Sequence, residues 1–278
     1  MSHFVSAAEL SDLIVREPRL RVLDVRWRLG GPDGHPEYLE GHIPGAVYVD
    51  LETELSRHGR PDEGRHPLPD TETVQEAARR WGIDDGDPVV VYDDYRGLAA
   101  ARAWWILRQG GVDVRVLDGG WPAWRSSGMV VESGAVARQP GAATLTDIGG
   151  GSLTIDEVAV FPASGVLLDV RAAERYRGET EPYDPVAGHI PGAVNLPTAA
   201  HLEADGTARG AVEIRANLAA VGVTDETPIA AYCGSGITAA HTALMLAEAG
   251  IDAKIFHGSW SQWSNTPGRP VATGPQPG

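Results

Sequence analysis

Hydrophobic and polar positions follow two alternating rhythms along this chain. Short β-branched and apolar runs, Arg21–Val25, Pro88–Tyr92 and Val114–Leu117, are bounded by turn-forming residues and read as buried strands of a parallel sheet. Between them, apolar positions recur at helical spacing over Thr71–Trp81 and Leu98–Gln109, and again over Ile214–Val221 and Thr238–Ala249. Strands alternating with helices predict α/β layering with right-handed crossovers, a mostly parallel sheet flanked by helices. The 34 Gly and 20 Pro fall between the runs, as turn chemistry in a chain of many short elements.

The pattern occurs twice. RVLDVRW (21–27) returns as VLLDVRA (166–172), and GHIPGAV stands verbatim at 41–47 and 188–194. VVVYDDYRG (89–97) pairs with PIAAYCGSG (228–236), and DGGWPAW (118–124) with HGSWSQW (257–263). Four blocks in the same order at a near-constant offset make the chain a tandem duplication. The expected division is an N-terminal domain over 1–127, a linker over 128–151 that is rich in small residues, and a C-terminal domain over 152–278. The Pro/Gly-rich tail after Pro267 is expected to be ordered only by docking, if at all.

A length of 278 residues agrees with two domains. The formal net charge of −15 would repel a phosphate backbone, which argues against nucleic acid as a partner. No apolar run is long enough to span a membrane, and Glu9, Asp12 and Glu17 stand where a signal peptide needs an apolar core. One cysteine, Cys233, permits no internal disulfide and no cysteine-based metal cage. These features together point to the cytoplasm.

Duplication supplies an internal control: a feature in both copies serves the fold, and a feature in one copy is a candidate for function. His42 and His189, Arg26 and Arg171, and Trp121, Trp124, Trp260 and Trp263 recur, and so read as architecture. The sharpest difference follows the central strand, where the second copy has Cys233-Gly234-Ser235-Gly236-Ile237-Thr238 and the first has Asp93 in the cysteine's place. A strand end, a Gly-rich loop and a helix N-terminus in succession are where α/β folds carry reactive groups. Gly234 and Gly236 let the backbone curl so that several N–H groups aim at one atom, and such amides with a helix dipole favour a thiolate. The competing reading is a buried, inert cysteine.

On these motifs the chain resembles the two-domain sulfurtransferases of the rhodanese superfamily over essentially its whole length. The CGSGIT loop followed by Ala239 looks like that of 3-mercaptopyruvate sulfurtransferases. The resemblance implies two tandem rhodanese-like domains with a catalytically silent first copy. It implies a Cys233 persulfide, with the amides of Gly234, Ser235, Gly236, Ile237 and Thr238 holding the donor and its charge, and no cofactor or metal ion. Thiosulfate-preferring relatives carry two cationic side chains directly after the cysteine, where this chain has Gly234 and Ser235. Arg175, in the unrepeated ERYRG segment, falls at the family's substrate-binding arginine, with a solvated surface arginine as the alternative. A second family arginine is replaced here by Tyr183. The resemblance further implies a proton relay of Ser235, His42 and Asp33, in tension with the repeated His42.

The expected reaction moves a sulfane sulfur from 3-mercaptopyruvate to cyanide or a thiol, such as thioredoxin or a low-molecular-weight thiol. Thiosulfate as donor is the alternative, and a persulfide carrier serving one protein partner is a further one. A phosphatase of the same superfamily needs Cys-x5-Arg, and this chain has Ala239 at that arginine.

Overall fold

The computed structural model describes residues 2–278. The described residues divide into two units, one of residues 2–56, 69–150 and 203–208, the other of 57–68, 151–202 and 209–278. The first opens with β1 (Phe4–Val5) and α1 (Ala7–Arg16), whose first turn is capped by the Ser6 hydroxyl accepting from the Glu9 N–H. It continues through β2 (Arg21–Asp24), α2 (His35–Glu40), β3 (Val47–Tyr48), α3 (Leu51–Glu54), α4 (Thr71–Arg80), β4 (Val89–Tyr92), α5 (Leu98–Gln109), β5 (Val114–Leu117) and α6 (Gly120–Ser126). The strands run in the order β1-β5-β4-β2-β3, all parallel, with Arg21 facing Val89 and Asp24 facing Tyr92 at the centre.

The second unit carries α7 (Ile155–Val160), β6 (Val166–Asp169), α8 (Ala173–Tyr176), β7 (Val194–Asn195), α9 (Ala211–Ala220), β8 (Ile229–Tyr232), α10 (Ile237–Glu248), β9 (Lys254–Ile255) and α11 (Ser259–Asn265). Its strands run β7-β6-β8-β9, again parallel, with Val166 facing Ile229 and Asp169 facing Tyr232. All four residues of β4 and of β8 are buried, as a central strand covered by helices on both faces requires.

The repeated blocks do the same work in each unit. Arg26 forks onto Asp24 and donates to the Gly41 carbonyl at 3.0 Å, while Arg171 forks onto Asp169 and donates to the Gly188 carbonyl at 2.6 Å. Burial works against the Arg171 guanidinium, yet Asp169 more than offsets this and raises its pKa. Tyr92 and Tyr232 accept the amides of Ile43 and Ile190, each at 3.1 Å. His42 stacks on Tyr38 and His189 on Tyr176, and each bonds the carbonyl of its stacking partner through Nδ1. These contacts tie the LDVR block, the GHIPGAV turn and the central strand into one buried knot.

One segment differs from expectation, and a second is ordered by docking. Residues 128–151, expected as a linker, are laid along the first unit as far as Gly150, because their backbone groups find partners there. Glu132 and His42 exchange N–H···O bonds, and Gly134, Gly141, Ala143 and Thr146 donate to Leu39, Arg79, Ile83 and Gly110. The tail after Pro267 docks in the same way on the second unit, where His189 and Ala272 exchange bonds and Gly274 donates to Arg177. Trp124 and Trp263 anchor the two straps through indole bonds to the carbonyls of Val130 and Pro270. Among the described residues, no helix is long and apolar enough to cross a membrane.

Candidate active site

Cys233 sits at the C-terminal end of β8, between a fully buried strand and the first turn of α10, and is 3% exposed. The chain reverses there through Gly236, at φ +84°, where a Cβ would come within 2.6 Å of the His257 carbonyl oxygen. Only glycine fits. This turn brings the Gly236 N–H to 3.1 Å from Sγ, at the N-terminus of a 12-residue helix.

The floor of the loop is the turn into α11. Ser259 adopts φ +53°, and its hydroxyl accepts the Cys233 N–H at 3.1 Å and donates to the Phe256 carbonyl at 2.9 Å. The same hydroxyl stands 4.0 Å from Sγ. The first copy places Gly120, φ +56°, at this point of its GGW block, so Ser259 holds a conformation that glycine adopts freely. The amides of Trp260 and Ser261 bond the carbonyls of Cys233 and Gly234, which fixes the loop from below.

Residues 57–68 precede α4 in the chain but belong to the second unit. The Arg65 N–H donates to the Ser261 hydroxyl at 3.0 Å and the Gln262 side chain donates to the Asp62 carbonyl at 3.0 Å. Gly64, at φ +91°, packs so tightly on Gly258 that a Cβ would come within 2.8 Å of its carbonyl oxygen. Thus anchored, the segment delivers His66, whose Nδ1 lies 2.7 Å from the Ser235 Oγ, both side chains being buried.

Two guanidinium groups stand over Gly234. A Cβ there would lie 3.4 Å from Arg175 Nη1 and 3.6 Å from Arg65 Nη2. Arg175, from α8, pairs with Glu181 at 2.6 and 3.2 Å and reaches Asp184 at 3.6 Å. Arg65 forks onto Asp184 at 3.0 and 3.3 Å. The half-exposed ring of Tyr183 lies 5.4 Å from the Arg175 guanidinium and 5.5 Å from that of Arg65.

The structure therefore brings Cys233, Ser235, Gly234, Gly236 and Arg175 together, with Ile237 and Thr238 in the first turn of α10. It does not assemble the expected relay. His42 is enclosed in the first unit, bonded to the Tyr38 carbonyl through Nδ1, with its Nε2 3.9 Å from Glu132. Asp33 accepts from the His35 N–H and the Tyr48 hydroxyl rather than from His42. The histidine that meets Ser235 is His66, which sequence reasoning missed, as it missed Arg65. The available signal was the duplication itself, since RH at 65–66 has no counterpart in the second copy.

The first copy shows what such a loop can hold. The Asp93 carboxylate, buried where the other copy has Cys233, accepts the amides of Tyr95, Gly97, Ala99 and Ala100 at 2.8–3.0 Å. Burial pushes this carboxyl up while the Ala100, Tyr95 and Gly97 amides oppose the shift. Four convergent N–H groups on one anion are the cradle expected of the reactive loop, here filled by a side chain.

The rhodanese-like domain model matches the chain twice, over residues 6–127 and 155–266. A Mycobacterium tuberculosis protein provisionally named thiosulfate sulfurtransferase SseB is 47% identical, over 97% of this chain and 96% of its own length. A Pseudomonas aeruginosa protein provisionally named 3-mercaptopyruvate sulfurtransferase is 42% identical, over 93% of this chain and 94% of its own. The crystal structure of the 3-mercaptopyruvate sulfurtransferase SseA from Escherichia coli superposes with a TM-score of 0.84 at 33% identity, covering 94% of this chain and 99% of that one.

Proposed function

The chain belongs to the family built from rhodanese-like domains and is a sulfurtransferase, and on that premise we propose that it moves sulfur from 3-mercaptopyruvate through a persulfide on Cys233. The observation that carries the donor assignment is the 2.7 Å contact between the Ser235 hydroxyl and His66 Nδ1, one step along the loop from the cysteine.

In this reading the Cys233 thiolate attacks the donor sulfur and a sulfur–sulfur bond forms. The donor's carbon–sulfur bond breaks, its electron pair goes to the enolate of pyruvate, and the proton that leaves the donor thiol ends on that enolate's carbon. Ser235 and His66 are the groups placed to carry the proton between these two atoms. Arg175 holds the carboxylate. The outer sulfur of the persulfide bears negative charge and is held by the amides of Gly234 to Thr238, around the Sγ that accepts the Gly236 N–H at 3.1 Å. Cyanide or an acceptor thiol, thioredoxin or a low-molecular-weight thiol, then attacks the outer sulfur and restores the Cys233 thiolate. A reducing cytoplasm is the compartment in which this unpaired cysteine and such thiols coexist.

Thiosulfate is the second reading, favoured by the two guanidiniums over Gly234. It brings no proton, and its sulfur–sulfur bond breaks with the pair leaving on sulfite. Comparison of kcat/KM for the two donors on one preparation tests the assignment. A higher value for 3-mercaptopyruvate is expected, and a higher value for thiosulfate would reverse the donor assignment while leaving the persulfide chemistry in place.

A further inference from the structure

The HGSWSQW block carries a residue pair that the first copy lacks. Ser261 and Gln262 stand where the DGGWPAW block has Pro122 and Ala123, so the comparison of copies that singles out Cys233 singles them out as well. Neither side chain takes part in the sulfur transfer described above. The Ser261 N–H donates to the Gly234 carbonyl at 2.9 Å, while its buried hydroxyl accepts the Arg65 N–H at 3.0 Å and donates to the Gly258 carbonyl at 3.0 Å. One residue thus holds the reactive loop by its backbone and residues 57–68 by its side chain. Gln262 makes a second contact to that segment, from its side-chain amide to the Asp62 carbonyl at 3.0 Å. Proline and alanine at these positions offer no side-chain hydrogen bond.

Residues 57–68 need such holding. They close on themselves as a compact surface loop, in which the Arg57 N–H donates to the Pro67 carbonyl at 3.3 Å and Arg57 pairs with Glu63 at 2.7 Å. Arg57 to Asp62 are exposed, and the apolar residues of the segment are Pro61, Pro67 and Leu68 alone, too few to fix its place by burial. Polar contacts to α11 therefore decide where His66 lies. From 2.7 Å, a shift of about 1 Å carries the Ser235–His66 pair beyond hydrogen-bond length.

We propose that Ser261 and Gln262 are positioning residues, a clasp that fastens residues 57–68 to α11 and so sets the Ser235–His66 distance on which 3-mercaptopyruvate turnover depends. This rests on the proton-carrying role given to Ser235 and His66 above, and it assigns what holds that pair at reacting distance. The clasp acts on proton movement rather than on donor binding, so its loss falls on kcat more than on KM.

The test is a double-mutant cycle, with 3-mercaptopyruvate as donor, on the wild type, Ser261→Ala, His66→Gln and Ser261→Ala/His66→Gln. Ser261→Ala leaves the Arg65 N–H without its acceptor and is expected to lower kcat about tenfold, with KM moved by about twofold or less. Ser261→Thr keeps the hydroxyl and restores most of the loss. Gln262 is half-buried, so Gln262→Ala carries the same cycle if Ser261→Ala fails to fold, with kcat lowered about threefold. In the His66→Gln background there is no imidazole left to position, and either substitution should cost no more than about twofold further. A residue that merely shaped the Cys233 loop would cost as much in both backgrounds. Losses that add in full, or an undiminished kcat in both folded single variants, overturn the clasp and leave the proton relay in place. Full activity of His66→Gln overturns the relay reading itself, and the clasp with it.

Discussion

At the scale of single residues, the site is a set of short contacts between positions far apart in sequence. Ser235 and His66 are 169 residues apart and meet at 2.7 Å. Replacing His66 with Gln or Ser235 with Ala should lower kcat/KM for 3-mercaptopyruvate by about a hundredfold, since that donor has a proton to move. Thiosulfate has none, and its kcat/KM should change by no more than a few-fold. Equal losses with both donors would mean that the pair shapes the loop rather than carrying a proton. Cys233 and Arg175 were legible in the sequence because each stands in a motif of one copy alone. His66 and Arg65 were not, because no periodicity or spacing rule records that residues 57–68 fold with the other copy's loop. The family resemblance alone places a relay on His42, whereas its Nδ1 bonds the Tyr38 carbonyl just as His189 bonds that of Tyr176 in the other copy.

At the scale of elements, the strand–loop–helix unit is one solution used twice, once around an aspartate and once around a cysteine. Asp93 Oδ1 accepts from Tyr95 and Gly97, and Oδ2 from Ala99 and Ala100, so every bond requires an acceptor. Asp93→Asn turns one oxygen into a donor facing two donors and should destabilise the protein by about 2 kcal/mol or more. Denaturant unfolding would measure this, and an unchanged midpoint would show that the four amides are satisfied in some other way. Strands and helices were largely readable: the runs at 21–25, 88–92 and 114–117 and the periodic stretches at 71–81 and 98–109 match β2, β4, β5, α4 and α5 to within a residue or so. The short strands β1, β3, β7 and β9 were not, since each is only two residues long and is fixed by its neighbour in the sheet.

At the scale of the whole molecule, the duplication explains both what is shared and what is not. Each copy ends in a strap that pairs with the histidine of its own GHIPGAV turn, His42 with Glu132 and His189 with Ala272. The first strap is rich in small residues and lacks helical periodicity, and the second is rich in Pro and Gly, so they read as linker and tail, although backbone hydrogen bonds and a tryptophan anchor hold them in place. The same shared frame holds a buried carboxylate among four amides in one copy, at Asp93, and in the other a cysteine whose Sγ accepts the Gly236 N–H. On the proposed mechanism, sulfur is carried on Cys233 and on no residue of the first copy. Intact-protein mass spectrometry after brief exposure to 3-mercaptopyruvate, on the wild type and on folded Cys233→Ser, tests this most directly. The wild type should gain the mass of a single sulfur atom, mapped to Cys233 and discharged by cyanide, and Cys233→Ser should gain nothing and turn over neither donor. Donor-dependent turnover by Cys233→Ser, or turnover by the wild type without a cyanide-labile sulfur on Cys233, would contradict it.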